Sequence, residues 1–198
     1  MAAPPHRNWD AIRARLPPTD KKDPASVARR HEIFKLFDPN GNGILSLAEV
    51  DKGCRDVLQL YEVFDCKPVI MRAFQAAKSA NDKKNKAGSH RPDFIEFNEF
   101  RLLSVYLRQY FELWQMFDEI DSSDDRRITP NEFRRAAPRL TAWGIKVTDP
   151  DASFREIDTN GGGVILFDEF ADWALRKGLD LEDDDNFDDP ALATLRKK

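Results

Sequence analysis

Four times along the chain, two apolar residues three apart are followed by a polar stretch, then by a glutamate with an apolar residue directly after it. The leading pairs are Phe34 and Phe37, Phe74 and Ala77, Phe117 and Ile120, and Phe154 and Ile157. The closing glutamates are Glu49, Glu99, Glu132 and Glu169. Residues three and four apart share a helical face, so each block predicts a helix, a polar loop and a second helix. One further apolar residue stands four places before each glutamate: Leu45, Ile95, Ile128 and Ile165. Such residues suit short antiparallel bridges between paired loops, Leu45 facing Ile95 and Ile128 facing Ile165. Between the second and third blocks, Leu102, Val105, Tyr106, Tyr110, Leu113 and Trp114 predict a helix over 101–116 that joins two halves. Ahead of all four, Trp9, Ile12 and Leu16 line one face of a two-turn helix between proline pairs. That face is expected to dock on the protein's own groove, because tryptophan is costly to leave in water. At the far end the pattern stops at Gly178.

The polar stretches decide the chemistry. Asp38 to Glu49 fits the template D-x-[DN]-x-[DN]-G-x5-E at every required place. Asp38, Asn40 and Asn42 offer side-chain oxygens at places 1, 3 and 5. Ile44 offers a backbone carbonyl at place 7, Ser46 a water-mediated contact at 9, and Glu49 two oxygens at 12. Gly43 suits the positive φ of the sharp turn at place 6. Six to eight oxygens at flexible distances are what Ca²⁺ requires. The third loop supplies Asp121, Ser123, Asp125, the Arg127 carbonyl and Glu132, but has Arg126 where the turn glycine belongs. Held left-handed, Arg126 costs about 1–2 kcal/mol. The fourth supplies Asp158, Asn160, the Val164 carbonyl and Glu169, with Gly162 at place 5 and Leu166 at place 9. The second block runs 22 residues from Lys78 to Glu99 where the others have 12. Aligned back from Glu99, Gly88, His90 and Pro92 fill the first ligand places, so this hand is expected to be metal-free. The fold expected is all-α: four EF-hands in two paired lobes, with short antiparallel β bridges between loops. The boundaries read as an N-terminal segment 1–26, lobes 27–105 and 106–178, and an acidic tail 179–198. Within the tail, 191–198 could form a short basic-ended helix.

Composition narrows the function. With 31 basic against 35 acidic residues the chain carries −4, which argues against a nucleic-acid binder. Cys54 and Cys66 are too few for a disulfide framework or zinc cluster and suit a reducing compartment. His6, His31 and His90 are scattered, and no phosphate loop accompanies them, so no enzyme is expected. No apolar run approaches a membrane span, and Ala2-Ala3 offers no acylation site, so no direct lipid anchor is expected.

The order of motifs resembles a known family. A W-x-x-I-R segment and proline linker lead into R-R-x-E-I-F-K-L-F-D-x-N-G-x-G from Arg29. Later come A-A-P-R-L-T-A-W-G-I from Ala136, F-x-E-I-D-T-N-G-x-G-V from Phe154 and F-D-E-F from Phe167. From Trp9 to about Lys177 the chain is similar to the calflagins, flagellar calcium-binding proteins of trypanosomatids. The resemblance implies four hands in two lobes, residence in the flagellum, and calcium mainly in the C-terminal pair. Those calcium roles map onto Asp121, Ser123, Asp125 and Glu132, and onto Asp158, Asn160 and Glu169. Family members are acylated at an N-terminal Gly-Cys pair, from which this chain departs. The function expected is a structural or regulatory calcium-binding component on the cytoplasmic side of the cilium or flagellum. Its expected partners are axonemal proteins or microtubules. The alternative is a sensor that takes a target peptide or membrane protein on calcium loading. The basic insertion (Lys83, Lys84, Lys86 and Arg91) and the acidic tail are candidate contacts to an acidic and a basic neighbour respectively.

Overall fold

The computed structural model describes residues 9–61, 66–82 and 93–178. The basic insertion, the acidic tail and the 191–198 segment lie outside the described residues, as do the second-block residues Gly88, His90 and Pro92. The chain divides into two compact units, 1–108 and 109–198. Among the described residues there are eight helices and one two-stranded sheet.

In the first unit, α1 (Trp9–Arg15) precedes a proline linker. Asp23 then caps α2 (Pro24–Phe37), accepting the N–H groups of Ala25 at 3.3 Å and Ser26 at 2.8 Å. Pro24 at the first helical position costs nothing there, since its missing N–H would be unpaired anyway. The first hand continues through β1 (Ile44–Leu45) into α3 (Leu47–Asp56). The second hand comprises α4 (Lys67–Asp82), β2 (Ile95–Glu96) and the start of α5 (Phe97–Ile120). β1 and β2 pair antiparallel with Leu45 opposite Ile95, as the spacing predicts. The rings of Phe34 and Phe37 meet Phe100 edge-on at 5.3 and 5.5 Å, and Phe34 also meets Phe97. Ile12 and Leu16 of the N-terminal segment are 1% and 4% exposed, so that segment is docked.

α5 is continuous from 97 to 120, longer than the 101–116 expected, and the boundary between units falls within it. The second unit adds α6 (Pro130–Ala142), α7 (Pro150–Ile157) and α8 (Phe167–Arg176). Ile128 and Ile165 form the second expected bridge, exchanging backbone hydrogen bonds of 2.9 Å in both directions. Phe117, Phe133, Phe170 and Trp173 fill the core beneath it. Gly178, at φ 74°, stands two residues beyond α8 in the left-handed conformation that ends helices. No helix among the described residues is long and apolar enough to cross a membrane.

Candidate calcium-binding loops

Each loop closes on itself through its first and last acidic residues. Asp38 Oδ1 accepts the Asn42 N–H at 3.2 Å and Oδ2 the Gly43 N–H at 2.8 Å. Asp158 does the same for Gly162 and Gly163, both at 2.9 Å. Asp121 Oδ2 takes the Arg126 N–H at 2.7 Å, and Oδ1 the Ser123 hydroxyl at 3.1 Å. The carboxylate at place 1 thus folds the turn before it is asked to hold anything else.

The glutamate at place 12 reaches back across the loop. Glu49 Oε1 accepts Asn40 Nδ2 at 2.6 Å, and Glu169 Oε1 accepts Asn160 Nδ2 at 2.7 Å. Glu132 Oε1 instead takes the Ser122 hydroxyl and the Ser123 N–H, both at 3.0 Å. In all three, place 12 is bonded to place 3, and in the third loop the Ser123 hydroxyl also joins place 3 to Asp121. Asn42 and Asp125 at place 5 turn to the N–H two residues on, Ile44 at 3.0 Å and Arg127 at 2.9 Å. Ile44, Arg127 and Val164 occupy place 7, directly before the bridge residues Leu45, Ile128 and Ile165.

The other oxygen of each glutamate serves the exit helix. Glu49 Oε2 accepts both the N–H and the hydroxyl of Ser46 at 2.8 Å, while the Ser46 Oγ accepts the Glu49 N–H at 3.2 Å. Thr129 and Glu132 repeat this reciprocal cap. Ser46, at the place of a water-mediated metal contact, thus also caps α3. The signal was there as S-L-A-E and T-P-N-E, the capping-box spacing. Leu166 has no hydroxyl, and only its N–H is met by Glu169, at 3.0 Å.

Burial pushes the Asp121 carboxyl above its usual value, with the Arg126 N–H and the Ser123 hydroxyl opposing. Burial also pushes Glu132 up, but the Thr129 N–H and hydroxyl, with Ser122 and Ser123, outweigh it and hold the carboxyl below its usual value.

Backbone conformation separates the third loop from the others. Gly43 and Gly163 at place 6 have φ of 79° and 75°, and Arg126 is held at 65° as the sequence requires. Place 4 is left-handed too, a demand that sequence reasoning overlooked. Gly41 and Gly161 meet it at 68° and 69°, whereas the third loop meets it with Asp124 at 56°.

Among the described residues no three His, Cys, Asp or Glu side chains gather into a metal cluster. The three loops offer carboxylate, amide, hydroxyl and carbonyl oxygens, the all-oxygen set that a hard, flexibly coordinated cation accepts. The donors therefore fit calcium. Asp38, Asn40, Asn42, Glu49 and the Ile44 carbonyl would hold it in the first loop. The third has Asp121, Ser123, Asp125, Glu132 and the Arg127 carbonyl, and the fourth Asp158, Asn160, Glu169 and the Val164 carbonyl.

Comparison with known proteins gives the same reading. A family description, FCaBP EF-hand domain, matches residues 12–107, and an EF-hand domain pair matches 110–175. A flagellar calcium-binding protein of Trypanosoma cruzi is 44% identical over 177 residues, covering 89% of this chain and 82% of its own. Flagellar calcium-binding protein TB-1.7G of Trypanosoma brucei brucei is 42% identical over 183 residues, covering 90% and 78%. Among solved structures, a homolog of programmed cell death 6 protein from Leishmania major Friedlin is 22% identical. It covers 75% of each chain with a TM-score of 0.43.

Proposed function

The chain belongs to the flagellar calcium-binding protein family of EF-hand proteins, and from that premise we propose that it is a structural or regulatory component of the axoneme. It is a calcium-binding protein of the flagellum, in a family that is not enzymatic. The finer reading concerns what the first unit does with its groove. A sensor that captures varied targets opens an apolar groove on loading, often one rich in methionine. Here Ile12 and Leu16 of the chain's own N-terminal segment are buried almost completely. That burial is the observation that carries the proposal: a groove filled from within suits a fixed component better than an adaptable receptor.

Attachment then falls to segments outside the hands. The basic insertion with Lys83, Lys84, Lys86 and Arg91 suits an acidic surface such as that of microtubules, and the acidic tail suits a basic neighbour. Flagella carrying wild type, or a variant with Lys83, Lys84 and Lys86 each replaced by Glu, are extracted with detergent and then salt. Wild type is expected to stay with the axonemes and the variant to be released. Release of wild type with the detergent fraction overturns the axonemal reading. Deleting residues 1–20 is the poorer test, because it removes Ile12 and Leu16 from the core.

A further inference from the structure

From Arg126 to Lys146 the second unit carries Arg126, Arg127, Arg134, Arg135, Arg139 and Lys146 against one acidic residue, Glu132, although the whole chain is at −4. All six cations are exposed, whereas Glu132 is buried and belongs to the calcium donors. On α6 the arginines are therefore the only charges that meet solvent. From these observations we infer that α6 and the third loop form a calcium-gated docking surface for an acidic segment of a partner protein.

Arg134 is paired with Asp151 at 2.6 Å and Arg139 with Glu119 at 3.7 Å. Arg126, Arg127 and Arg135 form no ion pair among the described residues, so the available charge rests on them. Arg139 also donates to the Glu119 carbonyl at 2.8 Å, and the Arg126 N–H donates to Asp121, two residues further on. Loop and helix thus meet at the end of α5. The gate is the charge of the loop itself. Asp121, Asp124, Asp125 and Glu132 stand with Arg126 and Arg127, four carboxylates against two guanidiniums, which leaves −2 without calcium. One calcium ion cancels that charge, and an approaching acidic chain then meets the field of the α6 arginines. Arg126 itself opposes calcium, since it repels the ion and is held at φ 65° where the first and fourth loops have glycine. A residue kept strained at a site points to a use there.

The chemistry selects the occupant. A guanidinium fork takes a carboxylate in two parallel hydrogen bonds, which suits glutamate and aspartate side chains. The large apolar side chains exposed among the described residues are Val27, Leu36, Tyr61, Met71 and Leu166, none of them between 126 and 148. This surface has nothing to insert beside lipid headgroups, and one signal alone does not anchor a protein stably to a membrane. A long polyanion such as DNA would also meet the acidic remainder of the chain. The inference rests on calcium reaching the third loop, and not on the axonemal reading.

The test uses the full chain and a fluorescein-labelled peptide of alternating glutamate and serine, titrated at low salt in calcium and in chelator. Binding is expected to be saturable, to weaken with salt, and to be about fivefold tighter in calcium, the low end of common couplings. Arg135→Ala should weaken it and Arg135→Glu should weaken it further, with melting curves to show that both variants fold. Asp121→Ala, which removes the first ligand of the third loop, should lose the gain from calcium. Calcium calorimetry on the same samples separates loss of the surface from loss of the ion. Vesicles one-third phosphatidylserine and a DNA duplex form separate arms. The inference is overturned by no binding of the peptide, by equal binding in calcium and chelator, or by equal binding to Arg135→Glu. It is also overturned by a calcium gain that survives Asp121→Ala, or by Arg135-dependent binding of vesicles or duplex without the peptide.

Discussion

Glu99 accepts the backbone N–H of Glu96 at 2.8 Å, in a hand whose sequence offers no acidic first ligand. Glu49 takes the same bond from Ser46 at 2.8 Å, Glu132 from Thr129 at 2.9 Å and Glu169 from Leu166 at 3.0 Å. The closing glutamate therefore caps the exit helix in all four hands, with or without the rest of a calcium shell. Glu99 is 1% exposed, so its loss leaves the Glu96 N–H without that acceptor at the start of α5. Glu99→Ala is expected to destabilise the first unit by about 1 kcal/mol, the cost of losing a part-buried hydrogen bond. Calcium stoichiometry by calorimetry should not change. A drop of one site would mean that Glu99 is a ligand after all.

The third loop carries strain where its neighbours carry glycine. The left-handed penalty at Arg126 is about 1–2 kcal/mol. Glycine gives back about 0.4–1 kcal/mol through the freedom of the unfolded chain. Arg126→Gly is thus expected to be net stabilising by roughly 1 kcal/mol. Asp124→Gly should gain less, because aspartate tolerates this region better. Melting with calcium and with chelator separates folding stability from calcium affinity. An Arg126→Gly protein that melts no higher than wild type in either condition would show that the arginine is compensated by its contacts.

Much of this architecture was legible in the sequence, and the exceptions have physical reasons. Phe34 and Phe37, or Phe154 and Ile157, sit at helical spacing before an oxygen-rich loop, and a single β-branched or aliphatic residue marks each bridge. Those are local rules that survive folding. The capping role of Ser46 was not legible because one hydroxyl fits two templates, ligand place 9 and helix cap, and the cap shows only in the distances to Glu49. The demand at place 4 was hidden because glycine there is optional until the backbone is seen. Arg30 of α2 is 5% exposed, its guanidinium bonded to the Pro18 and Asp20 carbonyls at 2.9 and 2.6 Å. It clamps the proline linker, a contact between segments that no periodicity encodes.

Acid should weaken the start of α2. The Ser26 hydroxyl, donating to Asp23 Oδ2 at 2.6 Å, and the Ser26 N–H hold the Asp23 carboxyl below its ordinary 3.8. A depressed carboxyl stabilises the fold fully above the unfolded value and loses that contribution as pH falls through the folded one. Asp23→Ala should therefore melt below wild type at pH 7, and the gap should narrow as pH drops below about 4. A gap that stays constant across that range would assign the effect to lost packing rather than to the charged cap.

Gly53 couples packing to the first loop. It lies in α3, and a Cβ built there would stand 2.5 Å from Cγ and Cδ2 of the Phe37 ring. Phe37 is 2% exposed and meets Phe100 edge-on at 5.5 Å, so the ring has little room to retreat. Alanine would ordinarily favour a helix over glycine by about 1 kcal/mol. Overpacking a filled core costs about 1–3 kcal/mol, and that penalty is expected to win. Because Phe37 directly precedes Asp38, a displaced ring also shifts the first ligand of the first loop. Gly53→Ala should thus lower the melting temperature and weaken calcium binding at the first loop, while the third and fourth loops titrate as in wild type. Calorimetry on Gly53→Ala in an Asp121→Ala/Asp158→Ala background isolates the first loop. Unchanged affinity there, with a wild-type melt, would show that the ring moves freely and that α3 does not set the loop's entry.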